Sequence, residues 1–324
     1  PIRNFSRKKG VYMDGIIIIN KEKNWTSNDI VQKLKHTFHE KTGHTGTLDP
    51  LATGVLPILV GKGTSLSKYL VNHDKEYIAT IRLGEKTSTG DQEGEIIEKK
   101  PVTDDMFDAE NVRKVLSEFK GKQNQIPPMY SAIKVNGKKL YEYARSGKKV
   151  EIEPREIEIF DIDLISISKD MKEIVYKVWC SKGTYIRSLC EDIAERLGTV
   201  GFMSGLNRTR VGDFRIEQAV RISDVTGDEG VVNRDIIKSK FISIEEFLMD
   251  KNEIVLDNMK IRKFLNGVKI FCDKSDGIYR VYSENRVFVG SGIAKDKKSR
   301  EELQKDAIEK TSTDPKFFFY EMSG

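Results

Sequence analysis

A chain of 324 residues, 38% hydrophobic and 32% charged, is long enough for more than one core, and its length predicts two domains. Its longest aliphatic run, Ile16-Ile17-Ile18-Ile19, falls far short of the roughly 20 apolar residues of a membrane helix, and the basic, polar first twelve residues do not read as a secretory leader. Cys180, Cys190 and Cys272 have no CxxC spacing, which predicts neither a disulfide framework nor a zinc ribbon; free thiols of this kind suit a reducing cytosol, so a cytoplasmic location is expected.

Arg3, Arg7, Lys8 and Lys9 mark residues 1–12 as a basic arm. Residues 15–20 are almost wholly apolar and predict a strand buried on both faces or at the centre of a sheet. Thr26 and Asp29 have the spacing of a capping box, and Ile30, Val31, Leu34 and Phe38 form the buried side of the helix it opens. His36 and His39 near its end find no third ligand, so no metal is expected there. A second helix is predicted over 64–71. Tyr77, Ala79, Ile81 and Leu83 share one face of a strand over 76–83. A turn-rich stretch to Gly94 and a return strand over 95–98 follow, then a helix over 103–119. Pro127-Pro128 excludes a helix at 126–134, and Asn136-Gly137 marks a tight turn. Strands are predicted over 156–160 and 174–180. In the next helix Ile186, Leu189, Cys190, Ile193 and Leu197 make the buried stripe, which leaves Tyr185 and Arg187 in its first turn, off that stripe. Beyond residues 241–249, short strands with frequent glycine and asparagine predict a small β-rich unit over 254–324, with an exposed charged helix at 295–310.

Two segments stand out chemically. The first runs Gly43-His44-Thr45-Gly46-Thr47-Leu48-Asp49-Pro50-Leu51-Ala52-Thr53-Gly54. Pro50 keeps Asp49 out of the helical region, so one carboxylate is presented from a stiff, glycine-bracketed loop. Composition alone reads this loop as an ordinary surface turn. The second is 120–149, where eight lysines and arginines face a single acid, Glu142, in a chain whose whole surplus is +5. A basic segment interleaved with Tyr130, Tyr141 and Tyr143 suits a polyanion with bases to stack on. There is no G-x-S-x-G elbow, Walker A motif or G-x-G-x-x-G, and no second placed acid for a glycosidase. An isolated aspartate can still act at a sugar carbon, and a cationic neighbour, for which Arg187 is a candidate, would keep it ionised. The residues alone thus point to a nucleic-acid-binding protein with a candidate catalytic aspartate.

The Gly43–Pro57 block also resembles the signature of the TruB family of pseudouridine synthases, and four further blocks fit in order: Lys75-Glu76-Tyr77 with 83–91, Pro127 to Lys134 through Tyr141 and Arg145, Gly183 to Leu189, and Leu206-Asn207-Arg208-Thr209. The resemblance spans about residues 13–220. It implies an α/β (α+β) catalytic domain over 13–249 with a mixed, largely antiparallel sheet, a tRNA-binding insertion at 120–150, and a PUA-like domain over 250–324. It implies isomerisation of uridine 55 in the tRNA T-loop, with no metal or redox cofactor, no membrane and no obligatory protein partner, by a monomer. By the same resemblance Asp49 is the catalytic aspartate, by attack on C1′ or by taking a C2′ proton, and Arg187 holds it ionised. Tyr77 stacks on the flipped uracil and helps remove the C5 proton; Tyr185 and Leu206 line the base pocket; His44 enters the T-loop. Lys21, Gly43, Lys134 and Arg145 complete the substrate-binding set. One departure is Lys21-Glu22-Lys23-Asn24, where the family has Lys-Pro-x-Gly, so the turn that positions Lys21 must be built differently. The alternatives are a guide-dependent relative acting on rRNA and a non-catalytic protein that binds or folds RNA.

Overall fold

The computed structural model describes residues 13–70, 73–131, 133–135, 137–147, 150–226, 233–270, 272 and 274–294. The expected arm at 1–12, the helix at 295–310 and Asn136 of the expected turn lie outside them. The first strand, Gly15–Lys21, shows why an unbroken aliphatic run is needed. Ile17 and Ile19 point into one apolar cluster and Ile16 and Ile18 into another, and all four are at most 1% exposed. Each such side chain contributes about 1.5–3 kcal/mol on burial.

Around this strand a ten-stranded sheet runs in the order Phe241–Ser243, Gly15–Lys21, Thr53–Val60, Gly201–Val211, Lys75–Leu83, Glu173–Cys180, Arg155–Ser168, Gly121–Gln125, with Thr42–His44 and Phe214–Arg215 paired at its side. It is antiparallel except where Thr53–Val60 meets Gly201–Val211. Tyr77, Ala79, Ile81 and Leu83 are buried on one face, as their alternation predicts. Onto that face pack helices Ser27–Phe38, Ala109–Ser117 and Ile186–Arg196. The capping box holds: Asp29 N donates to Thr26 Oγ1 (3.0 Å) and Thr26 N to Asp29 Oδ2 (2.9 Å). The second cluster packs Leu66, Leu70, Ile244 and Leu248 against the opposite face.

Several expected elements are altered. The helix expected at 64–71 is a 3-10 turn, Gly61–Leu66, followed by the short helix Ser67–Leu70. Gly61 has φ +59° there, a backbone state that glycine supplies and a regular helix does not. The helix expected at 103–119 divides at Asp108, whose extended backbone ends the 3-10 turn Asp104–Phe107 and whose carboxylate caps Ala109–Ser117 by accepting from Asn111 N (2.8 Å). Strands Thr53–Val60 and Gly201–Val211 were not expected. Pro57 lies inside the first, in the gap between residues 53–54, which pair with Gly201–Val211, and 58–60, which pair with Thr42–His44. No ladder partner on that edge is lost to it.

A separate three-stranded sheet, Asn252–Leu256, Gly277–Ser283 and Phe288–Ala294, packs Leu256 and Val281 on Phe264 of helix Asn258–Leu265. Tyr282 joins it to the helix Ile244–Phe247 by donating to Glu245 Oε1 (2.7 Å). No helix among the described residues is long and apolar enough to cross a membrane.

Candidate active site

The Asp49 loop links Thr42–His44 to Thr53–Val60 and is braced on three sides. From the first helix, Ser27 Oγ accepts from Leu48 N (2.8 Å) and donates to Leu48 O (3.1 Å). From the end of the first strand, Lys21 Nζ donates to the carbonyls of Glu22, Trp25 (2.6 Å) and Pro50 (3.2 Å). From the sheet, Arg208 donates to Gly46 O (3.0 Å) and Val55 O (2.8 Å). A turn closes within the loop, Ala52 N donating to Asp49 O (3.0 Å). The carboxylate therefore stands on backbone fixed from behind, with its side chain 37% exposed.

Lys21 is 0% exposed. It was expected to bind substrate; it instead lies beneath the loop, with its donors taken by carbonyls. Burial pushes its ammonium down from 10.5 to about 8, against the pull of Asp49. The turn that places it has Asn24 at φ +70°, and Asn24 N donates to Pro50 O (2.9 Å). Asparagine, which tolerates the left-handed region, thus stands where the family has glycine.

Arg187 corrects a second expectation. It is not off the buried stripe: its side chain is 8% exposed, and it reaches two carboxylates at once. Nε lies 3.4 Å from Asp49 Oδ2 and Nη1 3.4 Å from Asp91 Oδ2. Nη1 also donates to Thr89 O (3.1 Å) and Nη2 to Tyr130 O (2.8 Å). Asp91 is itself held, accepting from Thr89 Oγ1 (2.6 Å) and Glu93 N (3.1 Å). Tyr185 is not in the helix but is its N-cap residue. The Gln125 amide clamps its backbone, accepting from Tyr185 N (2.8 Å) and donating to Tyr185 O (3.0 Å).

Tyr77 and Arg208 stand directly opposite each other on neighbouring strands, and the guanidinium charge acts on the phenol. Burial pushes the Tyr77 phenol up, and Arg208 opposes that rise. Asp49, Lys75, Tyr77, Tyr185, Arg187 and Leu206 all line one cleft of about 780 Å³, a volume typical of ligand sites, which run roughly 300–1,000 Å³. Arg155 and Lys182 add positive charge to its walls. Burial also pushes Lys75 down to about 8.

The other expected contacts lie outside the cleft lining. His44 is half-buried at the edge of the loop, its Nδ1 accepting from Gly46 N (3.3 Å). Burial and the Arg208 charge hold its imidazole below the usual range. A side chain at Gly43 would meet nothing within 4 Å. Lys134 is exposed on a two-stranded hairpin, Lys134–Val135 with Lys138–Lys139, and Arg145 is the last residue of helix Leu140–Arg145. Sequence reasoning did not single out Asp91, Arg208, Gln125 or Ser27. Asp91 and Arg208 stand inside the quoted motif blocks, but nothing in a linear pattern says that a charged residue will be buried against a loop from a distant part of the chain.

Residues 33–186 match the TruB family pseudouridylate synthase N-terminal domain. Residues 187–250 match the tRNA pseudouridylate synthase B C-terminal domain, and 253–299 the C-terminal domain of pseudouridine synthase II TruB. Among similar proteins, tRNA pseudouridine synthase B of Francisella tularensis subsp. novicida is 43% identical over 286 residues, covering 86% of this chain and 91% of that protein. The same enzyme of Clostridium kluyveri is 42% identical over 291 residues, covering 88% and 96%. A chain of the Cbf5-Nop10-Gar1 complex shares the fold, with a TM-score of 0.61 at 24% identity over 87% of this chain and 79% of that one. With relatives this similar along most of its length, the chain belongs to the TruB family of pseudouridylate synthases.

Proposed function

We propose that this protein isomerises uridine 55 in the T-loop of tRNA to pseudouridine, acting as a monomer in the cytoplasm without a guide RNA or protein partner. The observation that carries the reading is the Asp49 carboxylate, 3.4 Å from a nearly buried Arg187 and facing a cleft walled by Tyr77, Tyr185 and Leu206. Chemistry at a glycosidic bond inside a folded RNA requires the base to be extruded, at a cost of a few kcal/mol, and a pocket to receive it. A cleft with one fixed carboxylate, two phenols and an apolar wall supplies a group to act at the ribose and surfaces to hold the uracil while it turns.

In this reading Asp49 acts at the ribose and Arg187, 3.4 Å from its Oδ2, keeps it aimed. Tyr77 stacks on the uracil and receives the proton from C5. Tyr185 and Leu206 confine the base, and His44 fills the space it leaves in the T-loop. Lys134 and Arg145 grip phosphates from the insertion, Gly43 leaves open room for the RNA backbone, and Lys21 sets the loop from beneath. Recognition rests on RNA shape and phosphate charge rather than on a base code.

The test is tritium release from unmodified tRNA carrying C5-tritiated uridine, with no guide RNA or added metal. Moving the glycosidic bond to C5 must expel that hydrogen. Release, with pseudouridine mapped to position 55, is expected. Salt-sensitive tRNA binding without release would instead support a non-catalytic RNA-binding role.

A further inference from the structure

Arg208 is the largest of the side chains that are almost wholly buried, at 1% exposed. Arg187 has two carboxylates within ion-pair distance; Arg208 has none among the described residues. Its donors go to uncharged backbone oxygens, Val55 O, Gly46 O and Thr47 O, and across the sheet it stands opposite Tyr77. A buried guanidinium satisfied only by dipoles is costly to desolvate, so a cation at this position calls for a use of its charge. Two acidic groups of the site lie in its field, Tyr77 and Asp49, beside the bases His44, Lys21 and Lys75, whose protonation it disfavours. Asp49 already has Arg187. At Tyr77 the Cys180 thiol and the Asp49 carboxylate, which also face it, both oppose its ionisation, and burial does the same; Arg208 is the cation that favours it.

The sheet register makes the pairing rigid. Gly54, Arg208, Tyr77 and Val178 form one row across four strands. A Cβ at Gly54 would sit 2.2 Å from Arg208 O, so the strands approach this closely because the residue there has no side chain.

We propose that Arg208 is a positioning residue for removal of the C5 proton: it fixes the Tyr77 phenol oxygen in the cleft and stabilises the negative charge on that oxygen when Tyr77 acts as the base. The inference rests on the uridine-isomerase reading above. In the step concerned, uracil is already bonded to the ribose through C5, which still carries its hydrogen. The Tyr77 oxygen, having first given its phenol proton to solvent in the cleft, takes that proton and becomes a phenol again. The C5–H electron pair becomes the C5=C6 bond, the C6=N1 pair moves to N1, and N1 is protonated from solvent. A fixed guanidinium facing the phenol opposes the rise that burial causes and so favours loss of the phenol proton before transfer.

The experiment uses the full chain under single-turnover conditions with unmodified tRNA carrying either C5-protiated or C5-deuterated uridine. The unsubstituted protein comes first: no conversion at all would sink the isomerase reading and leave Arg208 without a reaction to serve. With conversion established, Arg208→Met removes the charge at similar length, and Arg208→Lys keeps it. Arg208→Met should bind tRNA within about twofold of the unsubstituted protein and convert it roughly 100-fold more slowly, the scale of a general-base contribution. It should also show a C5 deuterium isotope effect larger than that of the unsubstituted protein, because proton removal has become limiting. Arg208→Lys should recover about tenfold, a charge-dependent share of that loss. Tyr77→Phe should give the same isotope signature, with little further loss on adding Arg208→Met. A slowed Arg208→Met with an unchanged isotope effect would show that Arg208 acts only through the Asp49 loop. An unslowed Arg208→Met, or unfolding of both Arg208 variants by circular dichroism, would equally overturn the proposal.

Discussion

Arg187 joins two carboxylates of different exposure, Asp49 at 37% and Asp91 at 5%. This division separates the group that faces the cleft from the group that holds its partner in place. Asp49→Asn should abolish tritium release, by at least ~10³-fold, while tRNA affinity changes little, since a group acting on the transition state lowers kcat without removing ground-state contacts. Equal loss of binding and turnover would make Asp49 a structural residue. Asp91→Asn leaves Arg187 with one carboxylate and should lower kcat by roughly 10–100-fold, about 1.4–2.7 kcal/mol of activation energy, again at unchanged tRNA affinity. Lys21 gives a prediction of another kind. Its ammonium falls from 10.5 to about 8 on folding. Between about pH 8 and 10.5 the unfolded chain therefore holds a proton that the folded chain has released, so this group's contribution to stability rises with pH across that window and is flat below it. Urea denaturation at pH 7.5 and 9.5 should show a rise that shrinks by roughly 1–2 kcal/mol in Lys21→Met; an identical rise in both proteins would contradict it. None of these environments could be read from periodicity. The spacing of Ile186, Leu189, Cys190 and Ile193 gives the apolar stripe of the helix correctly, but Arg187 is buried by the Asp49 loop and by residues around Thr89 and Tyr130, which no helical wheel contains.

Elements were legible where one local rule decides them. The Thr26–Asp29 box fixes a helix start from four residues, and the alternation from Tyr77 to Leu83 fixes a strand face. They were illegible where a long-range partner decides. Gly201–Val211 exists as a strand because Lys75–Leu83 and Thr53–Val60 flank it, and its polar Ser204, Asn207, Arg208 and Thr209 conceal it. Turn chemistry gave a substitute rather than a defect at Asn24, where a left-handed asparagine does the work of the family's glycine. Asn24→Gly should thus be near neutral, whereas a β-branched residue there should cost about 1–2 kcal/mol. Gly54 is less forgiving. At φ +105°, with backbone of Arg208 2.2 Å from the position of a Cβ, Gly54→Ala should lose more than ~2 kcal/mol of stability, since both strain and overlap oppose it. The same change would shift the loop that ends at Thr53, so tritium release per folded molecule should fall as well. A Gly54→Ala protein that melts at the unsubstituted temperature and retains full activity would show that this close approach is not needed.

At the scale of the whole molecule, the surplus of the basic segment is smaller than the sequence count suggests. Lys120 pairs with Asp161 (2.7 Å) and Lys122 with Glu156 (3.6 Å), across the strands Gly121–Gln125 and Arg155–Ser168. The acidic stretch that follows the basic one in sequence folds back beside its start and neutralises part of it. Lys134 and Lys138 are exposed on the hairpin beyond that contact. Phosphate binding releases condensed counterions, and the dependence of log affinity on log salt steepens by nearly one unit for each phosphate neutralised. Neutralising Lys134 or Lys138 to glutamine should therefore flatten the salt dependence of tRNA binding by about 0.7–0.9 per residue. Lys122→Gln should flatten it much less, because that cation already faces a carboxylate. Filter binding of unmodified tRNA between 50 and about 300 mM salt, a range over which several phosphate contacts change affinity by orders of magnitude, reads both slopes. Equal effects at Lys122 and Lys134 would mean that the Glu156 pair opens when RNA binds, and that the sequence count describes the bound protein better than the fold of the free chain.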